Sequence, residues 1–239
     1  AALHGHLAAV GVAFLLGARL LKTLDARGRF ASRQKPNILD LLDIVALGTV
    51  ADVAQLKGLN RAFVAQGLKV MSKRRNIGLS ALIDASRLTR APLCHDLGFA
   101  LGPRINAGGR VGQADLGVRL LTTEDPAEAA RIAAQLDQYN EERRAIESTV
   151  QEQAEALLAA QGNRAVAVIA GAGWHPGVIG IVAGRIKEKA GRPAIVIALD
   201  DAGVGKGSGR SISGVDLGAA VLAAKDSGLL VAGGGHAMA

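Results

Sequence analysis

The feature that most constrains this chain is a helical stretch running without a break from about Pro126 to Gln161. Asp125 before the proline and Glu128 three positions after Asp125 form a helix-start signature, and Gly162 supplies a stop. Positions 132, 136, 139, 143, 146, 150, 153 and 157 step by four and three and are mostly apolar, with Arg143 and Gln153 as exceptions. At 1.5 Å per residue the helix reaches roughly 50 Å, more than one small domain needs. The spacing therefore predicts a strut linking two domains, the alternative being a coiled-coil dimer.

The segments on either side of this helix differ in character. Upstream, residues 7 to 23 and Ile38 to Ala46 carry apolar residues at helical spacing, with Asp40 and Asp43 three apart. A small-residue segment, Leu47 to Val53, follows; it reads as a turn that presents Asp52 among apolar neighbours. Shorter basic helices lead into a glycine-rich stretch, Leu101 to Arg110. Downstream of Gly162 the pattern alternates: strands are expected over Ala165 to Ala170 and Ala194 to Leu199, helices over Val178 to Ala190 and Asp216 to Lys225, with Leu229 to Ala232 a further strand candidate. The expected fold class is α/β, in two domains joined by a long helix. The predicted divisions are 1–125, the helix 126–161, and 162–239.

Composition narrows the function classes. In a chain of 239 residues, 49% hydrophobic and 21% charged, there is enough apolar side chain for sizeable cores, and nothing suggests disorder. Only 3% of residues are aromatic, so no extensive base-stacking surface can be assembled here. The single cysteine, Cys94, excludes an intrachain disulfide and a cysteine-rich zinc site, and points to a reducing compartment, the cytoplasm by default. Leu7 to Ala18, ended by Arg19, is too short to cross a bilayer. The first residue is Ala rather than Met, so residue 1 is not expected to be a natural start. The net charge of +7 is concentrated: Arg61 to Arg110 holds nine Lys or Arg against Asp84 and Asp96. Such a block attracts polyanions through counterion release, unless it is merely a solvated basic face.

Four polar groups are candidates for chemistry. Arg104, Asn106 and Arg110 lie in the glycine-rich stretch, where the arginine fork matches phosphate oxygens and glycine lets backbone approach them; a plain structural turn is the alternative. His175, at a predicted helix start, and Gly205 to Ser211, with Lys206, Ser208, Gly209, Arg210 and Ser211, would together form an anion site, though the glycine run also suits a hairpin loop. Gly233, Gly234, Gly235 and His236 expose backbone and one titratable ring. Asp52 is either a cap or a metal ligand, and a hard cation such as Mg²⁺ or Mn²⁺ needs several oxygen ligands. His4 and His6 lack the partners of a zinc site.

Taken in order, Leu42 to Val53, Gly102 to Arg110, Leu136-Asp137 to Arg143, His175 to Ile181, Gly205 to Ser211 and Gly233 to His236 resemble the RecJ branch of the DHH phosphoesterase superfamily. The resemblance covers nearly the whole chain. It implies part of a DHH domain, a connecting helix and a DHH-associated domain, with nucleic acid in a groove between them. It implies 5′→3′ hydrolysis of single-stranded DNA with Mn²⁺ or Mg²⁺ and roles in DNA repair and recombination; a monomer is the expected state. By the same resemblance Asp52 matches the last metal-binding aspartate; Arg104, Asn106 and Arg110 match a substrate-facing motif; Ser208, Arg210 and the Gly233–His236 turn match phosphate-contacting elements. The Asp-x-Asp and Asp-His-His motifs of the family are absent from these 239 residues, which implies a chain truncated at both ends and inactive by itself. A phosphoesterase for short oligonucleotides or dinucleotides, and a non-catalytic nucleic-acid-binding module, are the competing expectations.

Overall fold

A computed structural model of the chain describes residues 5–162 and 164–239; His4 falls outside them. The chain divides into two compact units, one ending at Asn140 and the other spanning Glu141–Ala239. The division falls inside the long helix.

The regular elements among the described residues of the first unit are all helical: α1 (Ala9–Ala26), a 3₁₀ turn (Ile38–Leu41), α2 (Leu42–Ala51), α3 (Gly58–Met71), α4 (Ile77–Ala85), the single turn α5 (Cys94–Asp96), a π-helical turn (Leu97–Leu101), α6 (Gly102–Val111), α7 (Leu116–Thr122) and the start of α8 (Pro126–Ala160). Leu79, Leu82, Leu97, Leu101, Leu120, Ile132 and Leu136 are among the residues of its core. Phe14 and Phe63 meet edge-on at 5.2 Å beside a smaller cluster under α1. Two sequence expectations fail here for the same reason. Leu47 to Ala51, expected as a turn, is the end of helix α2, and Gly102 to Arg110, expected as flexible backbone, is helix α6. Small residues sit at these positions because neighbours press close: a Cβ on Gly48 would lie 3.0 Å from Val10, and one on Gly102 would lie 3.2 Å from Ala51.

Helix α8 begins as its signature predicts. Asp125 accepts a hydrogen bond from the Ala127 N–H (2.9 Å), Glu128 pairs with Arg119 (2.8 Å), and Gly162 takes φ +68° beyond the helix end. The expected apolar stripe drifts in its last turns. Ile146, Val150, Ala154 and Leu158 pack into the second unit while Leu157 is exposed, because a straight helix turns every 3.6 residues rather than 3.5.

The second unit carries a three-stranded sheet in the order β1 (Ala167–Ala172), β2 (Ala194–Leu199), β3 (Gly205–Arg210). β1 runs parallel to β2 through the crossover helix α9 (Ile179–Ala190), and β3 is antiparallel, with Ala194 opposite Arg210. The first strand starts two residues later than expected. The glycine run Gly205 to Arg210, for which a hairpin loop was the alternative, is a strand, and Leu229 to Ala232, after α10 (Leu217–Asp226), is not one: Leu229 and Val231 stand in solvent with no ladder to join. No described helix is long and apolar enough to cross a membrane.

Candidate nucleic-acid interface

Helix α2 carries two acids in contrasting surroundings. Asp43 is 2% exposed and accepts from the Ile44 N–H at 2.7 Å; burial pushes its carboxyl above the ordinary carboxylate range. Asp52 is exposed at the helix end. The chain closes there with Val53 N–H on Val50 C=O (3.0 Å) and Ala54 N–H on Thr49 C=O (3.2 Å), a motif that usually has glycine in the left-handed position. Here Val53 holds φ +55° with its side chain 87% exposed. A β-branched residue in that region is strained, and the strain lies next to the candidate metal ligand.

Asp52 faces a cavity of about 670 Å³ whose opposite wall is α6, through Gly102, Ile105, Asn106, Gly109 and Arg110. Helical spacing sorts the glycine-rich motif. Asn106, Gly109 and Arg110 are related by three and four residues and share the cavity face, whereas Arg104 points elsewhere. Its Nε donates to Asp137 Oδ1 of α8 at 2.8 Å, its Nη1 donates to the Ala100 carbonyl at 2.8 Å, and both side chains of the pair are less than one-fifth exposed. The three residues grouped on sequence thus split into two on the cavity and one tying α6 to α8. The sequence carried the signal, a period of three and four, but only once α6 is taken as a helix.

Asp52 is the one carboxylate among the cavity's lining residues, and no group of three or more His, Cys, Asp or Glu that could hold a metal occurs among the described residues. Mg²⁺ and Mn²⁺ take about six ligands, so the residues present do not make a complete metal site. The cavity offers one hard ligand, an amide, a guanidinium and open backbone.

The other candidates lie in the second unit. Strand β3 alternates strictly: Gly205, Gly207 and Gly209 on one face, Lys206, Ser208 and Arg210 on the other. Gly209 has no room for a side chain, since a Cβ would lie 2.5 Å from Leu217. On the polar face Arg210 Nη1 approaches Ser208 Oγ (3.3 Å) and donates to the Gly209 carbonyl (2.7 Å). A Cβ on Gly180, in the first turn of α9, would lie 3.1 Å from Ser208 Oγ and 3.2 Å from Arg210 Nη2. Helix start, hydroxyl and guanidinium therefore converge, an arrangement suited to an anion. His175, before α9, is oriented by the Gly177 N–H donating to its Nδ1 at 3.0 Å. Ser211 is buried and its hydroxyl donates to the Val215 carbonyl at 2.7 Å, so it secures the strand end. His236 is exposed; its own N–H donates to the Ala239 carbonyl (2.6 Å), and its backbone packs on Gly218 at the start of α10. Gly233 to Gly235 precede it in irregular backbone. Sequence reasoning passed over Gly180 and the Gln153 to Trp174 bond (2.6 Å), although Gln153 was marked by breaking the apolar stripe.

Residues 161–239 match the DHHA1 domain family. Over 98% of its length the chain is 43% identical to the single-stranded-DNA-specific exonuclease RecJ of Dickeya dadantii and 40% identical to that of Bacillus subtilis. The chain is similar to RecJ over nearly its whole length. It spans 42% of the Dickeya relative and 28% of the Bacillus one. The crystal structure of RecJ in complex with Mg²⁺ from Thermus thermophilus superposes with a TM-score of 0.74 at 34% identity, over 88% of this chain and 32% of that one. A structure of exonuclease RecJ bound to manganese gives 0.72 at 35% identity, covering 51% of that chain. The mixed architecture expected for a RecJ-like sequence, a small sheet and a long helix, is what the structure has.

Proposed function

We propose that this chain is the substrate-holding part of a RecJ-type 5′→3′ exonuclease acting on single-stranded DNA. The observation that carries the reading is the cavity in which Asp52 faces Asn106, Gly109 and Arg110: a hard-cation ligand opposite a phosphate-compatible face. Asp52 contributes one ligand to a Mg²⁺ or Mn²⁺ ion whose other ligands come from outside these residues. Asn106 and Arg110 hold the strand. Arg104 fixes α6 in place through Asp137. Ser208, Arg210 and the first turn of α9 take a phosphate, with His175, Lys206 and the Gly233–His236 segment at its margin. The divisions 1–125, 126–161 and 162–239 correspond to part of a DHH domain, a connecting helix and the DHH-associated domain.

The reading is tested with oligonucleotides on the 239-residue chain. Binding to single strands should weaken steeply as salt rises, and Arg210→Ala should cost about tenfold in affinity for a 5′-phosphorylated strand while costing less for a 5′-hydroxyl strand. Salt-independent binding would remove the phosphate assignment, and equal loss for both strands would make Arg210 a contact to the strand's backbone rather than to its 5′ phosphate. Robust nuclease activity from this chain alone would show that the centre lies elsewhere than Asp52.

A further inference from the structure

Phenylalanine, tryptophan and tyrosine number six in this chain, and five of them are buried or half-buried. Phe99 is 75% exposed. Leaving a phenylalanine in water forfeits its burial, and Phe99 is the one Phe, Tyr or Trp ring that the chain leaves exposed. One face of the ring is already occupied: His95 stacks on it with centroids 4.5 Å apart and planes 22° from parallel. That distance and tilt are those of a stacked aromatic pair, and with Phe99 so exposed the other face of its ring is open.

The backbone under the pair is unusual as well. Phe99 is the middle residue of the π-helical turn Leu97–Leu101, a feature that adds a residue to a helix and is frequent at functional sites. The turn is held from both sides. Asp96, before it, accepts from the Leu93 N–H at 2.7 Å and from Arg90 at 2.6 Å, and Arg104, after it, donates to the carbonyl of Ala100. Phe99 is thus presented on rigid backbone, within the most basic stretch of the chain and immediately before the cavity-lining helix α6.

We propose that the His95–Phe99 pair is a stacking platform for one nucleobase of the bound single strand. The proposal rests on the nucleic-acid-binding reading above. Phe99 offers its open face to the base and His95 backs the ring, while exposed Arg87, in the same basic stretch, supplies charge for a flanking phosphate. Stacking on one ring is tolerant of base identity, because every base has a π-face. A scarcity of aromatics excludes a continuous platform but not a single one.

The test compares the 239-residue chain with Phe99→Ala, Phe99→Trp and His95→Ala by fluorescence anisotropy, on a labelled oligonucleotide and on the same strand with abasic sites. Phe99→Ala should raise Kd roughly tenfold on the normal strand. Phe99→Trp should restore binding, His95→Ala should give a smaller loss, and on the abasic strand Phe99→Ala and the parent should bind alike. Equal loss on both strands would make Phe99 a structural residue, and unchanged affinity on the normal strand would leave its face to some other contact; either overturns the platform. If the parent chain itself does not bind single-stranded DNA, the proposed function fails first and the platform with it. Thermal melts confirm that each variant is folded.

Discussion

Two glycine-rich segments bearing arginine, Gly102 to Arg110 and Gly205 to Arg210, look alike in the sequence and fold in opposite ways: one is helix α6, the other is edge strand β3. In both, some of the glycines mark close approach rather than looseness. A Cβ on Gly108 would lie 2.7 Å from the Gln113 carbonyl oxygen, and one on Gly205 would lie 2.9 Å from Ile197. The period of the remaining residues decides the geometry. In α6 a spacing of three and four gathers Asn106 and Arg110 on one face and sends Arg104 to another; in β3 a spacing of two puts Lys206, Ser208 and Arg210 on one side.

The arginines should therefore behave differently when removed. Arg104→Ala takes away a half-buried partner of Asp137 and a bond to the Ala100 carbonyl, and should cost about 2–3 kcal/mol of stability, because it leaves a carboxylate without its cation. Arg210→Ala should change stability by less than about 1 kcal/mol and show its effect in phosphate binding. Denaturant titration of both variants checks this. A stable Arg104→Ala that instead loses DNA affinity would return Arg104 to the substrate-facing group from which the structure separates it.

This separation shows what the sequence could and could not say. The long helix was legible because Asp125, Pro126 and Gly162 mark its ends by local chemistry; Glu128 also helped to signal the start, though in the structure it pairs with Arg119. Helix α9 was legible from its apolar spacing and strand β2 from its short β-rich apolar run. Helix α6 and strand β3 were not, since glycine is poor in both helix and strand and the contacts that favour it, Gln113 for Gly108 and Leu217 for Gly209, come from elsewhere in the chain. The candidate residues were found as chemical types. Their grouping needed the fold: Asp52 and Arg110 are far apart in sequence and line one cavity only because α2 packs on α6, and Gly180 gained meaning only beside Arg210.

Acid should separate the two segments as well. Asp96, at the entry to the π turn and α6, has its carboxyl held below the ordinary carboxylate range, first by hydrogen bonds from Arg90 and then also by the Leu93 N–H, against the opposing effect of burial. A depressed acid contributes stability that is fully present above its unfolded value and is lost as pH falls through the folded value. Amides around Leu97 to Leu101 should therefore lose exchange protection as pH drops below about 4, ahead of the β2–β3 ladder, where Arg210 has Ser208 and a carbonyl as its side-chain acceptors. Asp96→Ala should cost about 1–2 kcal/mol at neutral pH and remove that acid step. If the ladder opens first, the helical segment is not the one anchored by carboxylates.

The smallest effect has the opposite sign. Gly108 and Gly109 are neighbours in α6, yet a Cβ on Gly109 meets nothing within 4 Å, and its backbone lies outside the left-handed region that favours glycine. Glycine inside a helix costs about 0.5–1 kcal/mol relative to alanine, so Gly109→Ala should stabilise the first unit by about that amount while Gly108→Ala destabilises it. The fold therefore has no use for glycine at position 109, and the added methyl would stand on the cavity wall beside Asn106 and Arg110. A variant that melts higher and holds single-stranded DNA less tightly would mean that Gly109 is kept for the ligand. One that melts higher with affinity unchanged would mean that the strand does not approach α6 on this face, and the contrast between the two glycine-rich segments would then be one of folding alone.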